Sequence, residues 1–376
     1  MNSGLFTSFF SGILSLGIGE IIMLLVGATL IYLAIKKNYE PALLLPIGFG
    51  TLMANIPFSS AVGHDGALTV FFNAGIITEI FPLLIFVAVG AMIDFTPLFR
   101  NPMLLLFGAA AQFGIFMTMA FATLLGFDLK EAASIGIIGA ADGPTSIYVA
   151  TRFAQNLLGP ISVAAYSYMA LVPIIQPPII NALTTKQERM IRMTGHCRPI
   201  SKTTLILFPI IVTVIAGLIA PTSVALIGFL MFGNLIRECG VLNSLSKSAQ
   251  NELANLVTIL LGITIASTMT ADSFLKVDTL MILGLGLFAF IFDTAGGVLF
   301  AKLLNLVLPK HLKVNPMVGA AGISAFPMSA RVIQKMGQDN DPNNYLLMYA
   351  ASANVGGQIG SVIAGGIILA IIPLLS

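Results

Sequence analysis

The chain has 376 residues, 57% of them hydrophobic and only 9% charged, with a formal net charge of +2. An ordinary soluble domain carries about 25% charged residues, so this composition excludes a water-soluble fold, and the thin spread of basic residues gives no footprint for nucleic acid. What remains is an all-α polytopic membrane protein, since the alternating segments of about 10 residues that build a membrane barrel are not seen.

In chain order, apolar runs fall at about 18–35, 42–57, 68–94, 102–126, 133–151, 160–182, 203–220, 222–236, 253–271, 279–306, 315–332 and 344–374. Against a bilayer span of about 20 residues they predict roughly nine to eleven transmembrane spans plus one or two broken elements. No cationic residue precedes Lys36, so no cleaved signal peptide is expected and the first run stays as a span. Lys36 and Lys37 close that run, and "TTKQERMIRMTGHCRPISK" gathers Lys186, Arg189, Arg192, Arg198 and Lys202 into one loop. The positive-inside rule places both in the cytoplasm and the N-terminus outside. Cys197 lies in that loop, where a disulfide to Cys239 is not expected. The predicted organisation is N-terminal scaffold spans over 1–78 and a first repeat with an ion-site helix over 79–183. The basic loop and connecting spans follow over 184–252, and a second repeat with its own ion-site helix over 253–376.

Three collinear matches carry the repeat. "PLFRNPMLLLFG" from 97 resembles "SFLKVDTLMILG" from 273, and "GAADGPTSIYVATR" from 139 resembles "GAAGISAFPMSAR" from 319. "ALVPIIQPPI" from 170 falls opposite "SANVGGQIGS" from 352, with Gln176 facing Gln358. Transporters built from two such repeats, inverted relative to each other, hold their ions near the midplane, where broken helices meet.

The acid Asp142 stands inside an apolar run, next to Gly143-Pro144. A charge at the bilayer centre costs about 2.5–3.5 kcal/mol or more, and proline interrupts the helix hydrogen bonds beside it. Lining a cavity, the carboxylate and the freed carbonyls make an oxygen cup for an alkali cation or a proton. At an interface, the same acid is simply a helix cap. The counterpart "NPMVGAAGISAFPMSAR" offers Asn315 as a cap, Gly319 and Gly322 for close approach, Ser324 as a neutral oxygen and Phe326-Pro327 as a break. Arg331 closes this segment, either to bind an anion or to snorkel to the interface. Asn354 is a polar residue flanked by glycines in an apolar run, and Asp293 in "IFDTAGGVLF" serves either as a gate or as a structural hydrogen-bonding group.

"GAADGPTSIY", "VAAYSYMALVPIIQPPI", "FGNLIRECGV" and "NPMVGAAGISAFPMSARV", in this order, resemble the β subunit of the sodium-translocating biotin-dependent decarboxylases. The resemblance runs from "PALLLPIGFGTLMANIP" onward over nearly the whole chain. It implies sodium and a carboxybiotin brought by a partner as cofactors, since no Met-Lys-Met biotinylation site is present. It implies Asp142, Tyr168 and Arg331 as catalytic, with Arg331 toward carboxybiotin, and Asp142, Asn315, Gly319, Ser324 and Asn354 toward sodium. Asp293 matches no established family role.

The implied partners are a carboxyltransferase subunit, a biotin carrier protein and a small membrane subunit of the γ or δ type, with homo-oligomerisation, in a bacterial inner membrane. The implied activity is decarboxylation of carboxybiotin, with uptake of a proton and export of sodium. The alternative from the residues alone is a stand-alone secondary transporter, a sodium/proton antiporter or a sodium-coupled carboxylate carrier. The chain has no long insert before "PLLIFVAVGAM" of the kind associated with the oxaloacetate type, which points to an acyl-CoA member.

Overall fold

A computed structural model describes residues 10–38, 41–193, 200–219, 221–309, 312–325 and 328–375. Cys197, Arg198 and the expected break at Phe326-Pro327 lie outside the described residues. Helix makes up 82% of the structure and no strand occurs among the described residues, so the all-α expectation holds.

Among the described residues six helices are long and apolar enough to cross a membrane: Ile18–Lys37, Pro102–Leu124, Lys202–Ile219, Asn243–Thr268, Val277–Val307 and Leu347–Leu375. Two bent pairs raise this to eight, Ala67–Ile77 with Ile80–Met92 at 61° and Gln155–Met169 with Leu171–Leu183 at 65°. This is fewer than nine to eleven, because several apolar runs fold into arms too short to span. Lys202–Ile219 shows why a lipid surround is needed. It buries only Pro209, while Leu207, Ile211, Val214 and Leu218 face outward, a surface that water would not tolerate at this size.

The short arms form two hairpins. In the first, Leu129–Gly136 begins at Asp128, whose carboxylate accepts the Glu131 amide as an N-cap. The chain tightens through Ile137–Ala140, and Ala141 then takes a left-handed φ of 53°. A residue with a Cβ pays for that conformation, and the helix direction is lost there. Gly143–Phe153 returns, with Pro144 in its first turn where no N–H is needed. Asn156 donates to Glu131 at 3.0 Å, drawing the open end together.

In the second hairpin, Pro316–Ala320 runs in and Met328–Asn340 runs out. Its open end is tied to the basic loop: Asn315 donates to the Arg189 and Ile191 carbonyls at 2.8 and 2.9 Å, and Arg192 pairs with Asp341.

The two halves share an order of packing. Leu105–Ala111 lies on Leu347–Leu375, and Val277–Val307 lies on Leu158–Leu183, so the leading helix of each half rests on the closing helix of the other.

Candidate functional site: a carboxylate where two hairpin tips meet

The tips of the hairpins touch. The Ser324 amide donates to the Ala140 carbonyl at 2.9 Å, joining two segments that the sequence separates widely. Asp142 follows Ala140 by two residues and caps the returning helix from its N-terminus. Its Oδ1 accepts the Thr145 amide at 3.3 Å, and its Oδ2 accepts the Thr145 hydroxyl at 2.6 Å and the Ser361 hydroxyl at 2.8 Å. Asp142 therefore does cap a helix, but in the interior, at 5% exposure, rather than at an interface. Three donors and a helix N-terminus all favour a negative charge there.

A cavity of about 260 Å³ opens on this carboxylate. Asp142, Pro144, Ser324 and Gln358 line it together with Met92, Asn255 and Thr258. Met169 also lines it, and Pro173, four residues on, has no N–H to give the Met169 carbonyl. Gly143 makes the approach possible: a Cβ on it would run into the Tyr166 ring.

The sequence-predicted residues divide into two groups. Asp142 and Ser324 share the cavity. Asn354 stands behind them, its amide donating to the Ile323 carbonyl at 2.6 Å and its buried Oδ1 left without a hydrogen-bond partner. The Ser324 hydroxyl donates to the Gly357 carbonyl at 2.9 Å, and Gln358 donates to the Ser324 carbonyl.

The others stand apart from this cup. Asn315 caps Pro316–Ala320 at the basic-loop end of the second hairpin. Gly319 meets Gly297 backbone to backbone. Tyr168 donates its hydroxyl to the Leu283 carbonyl and packs on Gly286, on the side of Val277–Val307. Arg331 is exposed on Met328–Asn340. Thr145, Ser361, Gln358 and Tyr166 were not singled out from sequence as parts of the cup. For Thr145 a signal existed, since the residue three after an acid before Gly-Pro is the natural donor to an N-cap.

The family described as the Na+-transporting oxaloacetate decarboxylase beta subunit matches residues 19–372. The chain belongs to this family. A beta subunit of this kind is a membrane part of a biotin-dependent decarboxylase complex rather than a stand-alone transporter. The chain is 50% identical to the methylmalonyl-CoA decarboxylase subunit beta of Propionigenium modestum, covering 96% of this chain and 97% of the relative. It is 51% identical to the glutaconyl-CoA decarboxylase subunit beta of Acidaminococcus fermentans, covering 96% of each. It is 46% identical to the oxaloacetate decarboxylase beta chain of Klebsiella pneumoniae, over 95% of this chain and 96% of that one. The beta subunit thus matches relatives named for three different carboxylated substrates, and aligns with them almost end to end.

Proposed function

We propose that the beta subunit binds sodium in the cup at the hairpin tips and exports it as carboxybiotin loses CO2. Asp142, Ser324, Asn354 and the Met169 carbonyl supply oxygens that replace the hydration shell of a small hard cation. Asn315 caps the second hairpin and Gly319 lets it pack closely on Val277–Val307, supporting the cup from outside. A partner carrier protein brings the biotin. Arg331, a cation on the second hairpin, receives the carboxylate of carboxybiotin and stabilises charge as CO2 leaves. Tyr168 ties Leu158–Leu183 to the Leu283 carbonyl of Val277–Val307, and its hydroxyl lies on the path by which a proton replaces sodium.

The observation that carries this reading is the Ser324–Ala140 contact beside the buried Asp142 carboxylate. Burying a charge there remains costly even with its three donors, and a cation or a proton offsets that cost. Moving one charge outward costs about 2.3 kcal/mol per 100 mV, so two cost about 5 before any gradient is counted. Decarboxylation supplies that energy. The reading includes a bacterial inner membrane with the basic loop in the cytoplasm, which makes the two hairpins enter from opposite faces as inverted repeats.

The proposed complex adds a carboxyltransferase, a biotin carrier, a small membrane subunit and further copies of this chain. For the carboxyltransferase we favour an acyl-CoA substrate. Two acyl-CoA relatives are 50% and 51% identical to this chain, against 46% for the Klebsiella chain. The Klebsiella alignment also runs over 419 positions, more than the 376 residues present here.

The test is carboxybiotin-driven sodium uptake by vesicles holding the whole complex. Uptake that follows CO2 release supports the reading. CO2 release with no sodium movement rejects it.

A further inference from the structure

Asp293 is a second acid in the interior, and the cup does not use it. It is fully buried on Val277–Val307, at the crossing with the helix Phe113–Leu124 and the tightened segment Ile137–Ala140. Neither carboxylate oxygen completes a hydrogen bond. The amides of Gly114 and Ile115, in the first turn of their helix, face it. A Cβ on Gly114 would collide with Oδ1, and one on Gly139 with Oδ2, so two glycines are what let the acid fit. The Ala289 carbonyl, one turn earlier on the same helix, borders the same Gly114 position.

The space around the acid decides its form. A sodium ion needs several oxygens at coordination distance and a cavity to hold it, and here the glycine backbones fill the volume. A bare carboxylate with no cation and no completed hydrogen bond is the costly case in a buried site. A proton needs no cavity, and the protonated carboxyl can donate to the Ala289 carbonyl beside it, a partner that a carboxylate cannot use. The first hairpin brings Gly139 against Oδ2, and Tyr168 of Leu158–Leu183 reaches Val277–Val307 at Leu283 and Gly286, two turns or more from the acid. Gly139, which meets Asp293 Oδ2, precedes Asp142 by three residues, so one short segment links the two acids.

We propose that Asp293 is a proton-holding carboxyl of the translocating core, carrying H+ behind the hairpin tip while Asp142 carries sodium in front of it. The role in transport rests on the function proposed above; the protonation does not.

Infrared difference spectra of the lipid-reconstituted complex at neutral pH separate the two. The carbonyl stretch of an un-ionised carboxyl should be present in the wild type, lost in Asp293→Asn and kept in Asp142→Asn. A band unaltered by Asp293→Asn overturns the proposal. Where that variant fails to assemble, the wild type decides alone, because absence of any un-ionised carboxyl band at neutral pH overturns it equally. In an assembled Asp293→Asn complex, carboxybiotin-dependent turnover should fall at least tenfold. A purely structural carboxyl would leave turnover unchanged, since the amide keeps its shape, and that result overturns the transport role. Sodium uptake failing in the wild type would sink the proposed function while leaving the infrared result standing.

Discussion

Ser361 donates its hydroxyl to Asp142 Oδ2 at 2.8 Å, fastening the closing helix of the second half to the acid of the first hairpin. The same hydroxyl lies 3.0 Å from the Gln358 carbonyl, so it can turn away when a cation claims Oδ2. The donor therefore steadies the empty carboxylate and leaves its oxygen available as a ligand.

Removing that hydroxyl should tighten sodium binding, because the wild type gives up this bond when a cation takes Oδ2. A hydrogen bond to a charged group is worth about 1.5–3 kcal/mol, and the Gln358 carbonyl recovers part of it, so half-saturating sodium should fall by up to about tenfold for Ser361→Ala. The sodium dependence of decarboxylation by the assembled complex measures it.

Gly319 and Gly297 each fill the place of the other's missing Cβ with a carbonyl oxygen. Gly319→Ala should therefore act on packing, costing about 1–3 kcal/mol. The expected outcome is a lower thermal midpoint in detergent, with half-saturating sodium of the folded fraction moving less than about twofold, well inside one hydrogen bond's worth.

How much of this was legible beforehand depended on locality. The acid beside Gly143-Pro144 announces a break and a buried charge within a few residues, and so Asp142 was found from sequence. Its partner Ser361 lies 219 residues on, in a long helix whose inward face no hydrophobic periodicity marks. The tyrosines show the same limit. Tyr166 and Tyr168 are two residues apart, and at 3.6 residues per turn two steps along a helix lead to nearly opposite sides. Tyr166 lines the cavity, whereas Tyr168 reaches the Leu283 carbonyl. The span count ran high for a related reason: apolar runs such as 133–151 look like crossings until Ala141 reverses the chain.

Arg192 donates to both carboxylate oxygens of Asp341 at 2.6 and 3.1 Å, pinning the basic loop to the end of the second hairpin. That pairing, with the Asn343 amide, holds the Asp341 carboxyl below the ordinary aspartate range. A depressed value means the contribution is fully present above the usual aspartate pKa of about 3.9 and is lost as pH falls through the lowered value. Thermal midpoints should show an unchanged advantage of the wild type over Asp341→Asn between neutral pH and pH 5. On further acidification the wild type should lose its advantage over Asp341→Asn.

Arg331→Ala should leave the complex assembled and remove carboxybiotin turnover, since an exposed cation on Met328–Asn340 holds no packing role. Size-exclusion profiles and CO2 release from the same preparation check the two halves of that statement. Turnover surviving in the variant takes Arg331 out of the mechanism.

The most direct test of the sodium cup is Asp142→Asn, measured as carboxybiotin-driven sodium uptake by vesicles containing the assembled complex. Asparagine preserves the shape and the cap but not the charge, so sodium uptake and sodium-stimulated CO2 release should both vanish. Uptake that continues at the wild-type rate would contradict the account.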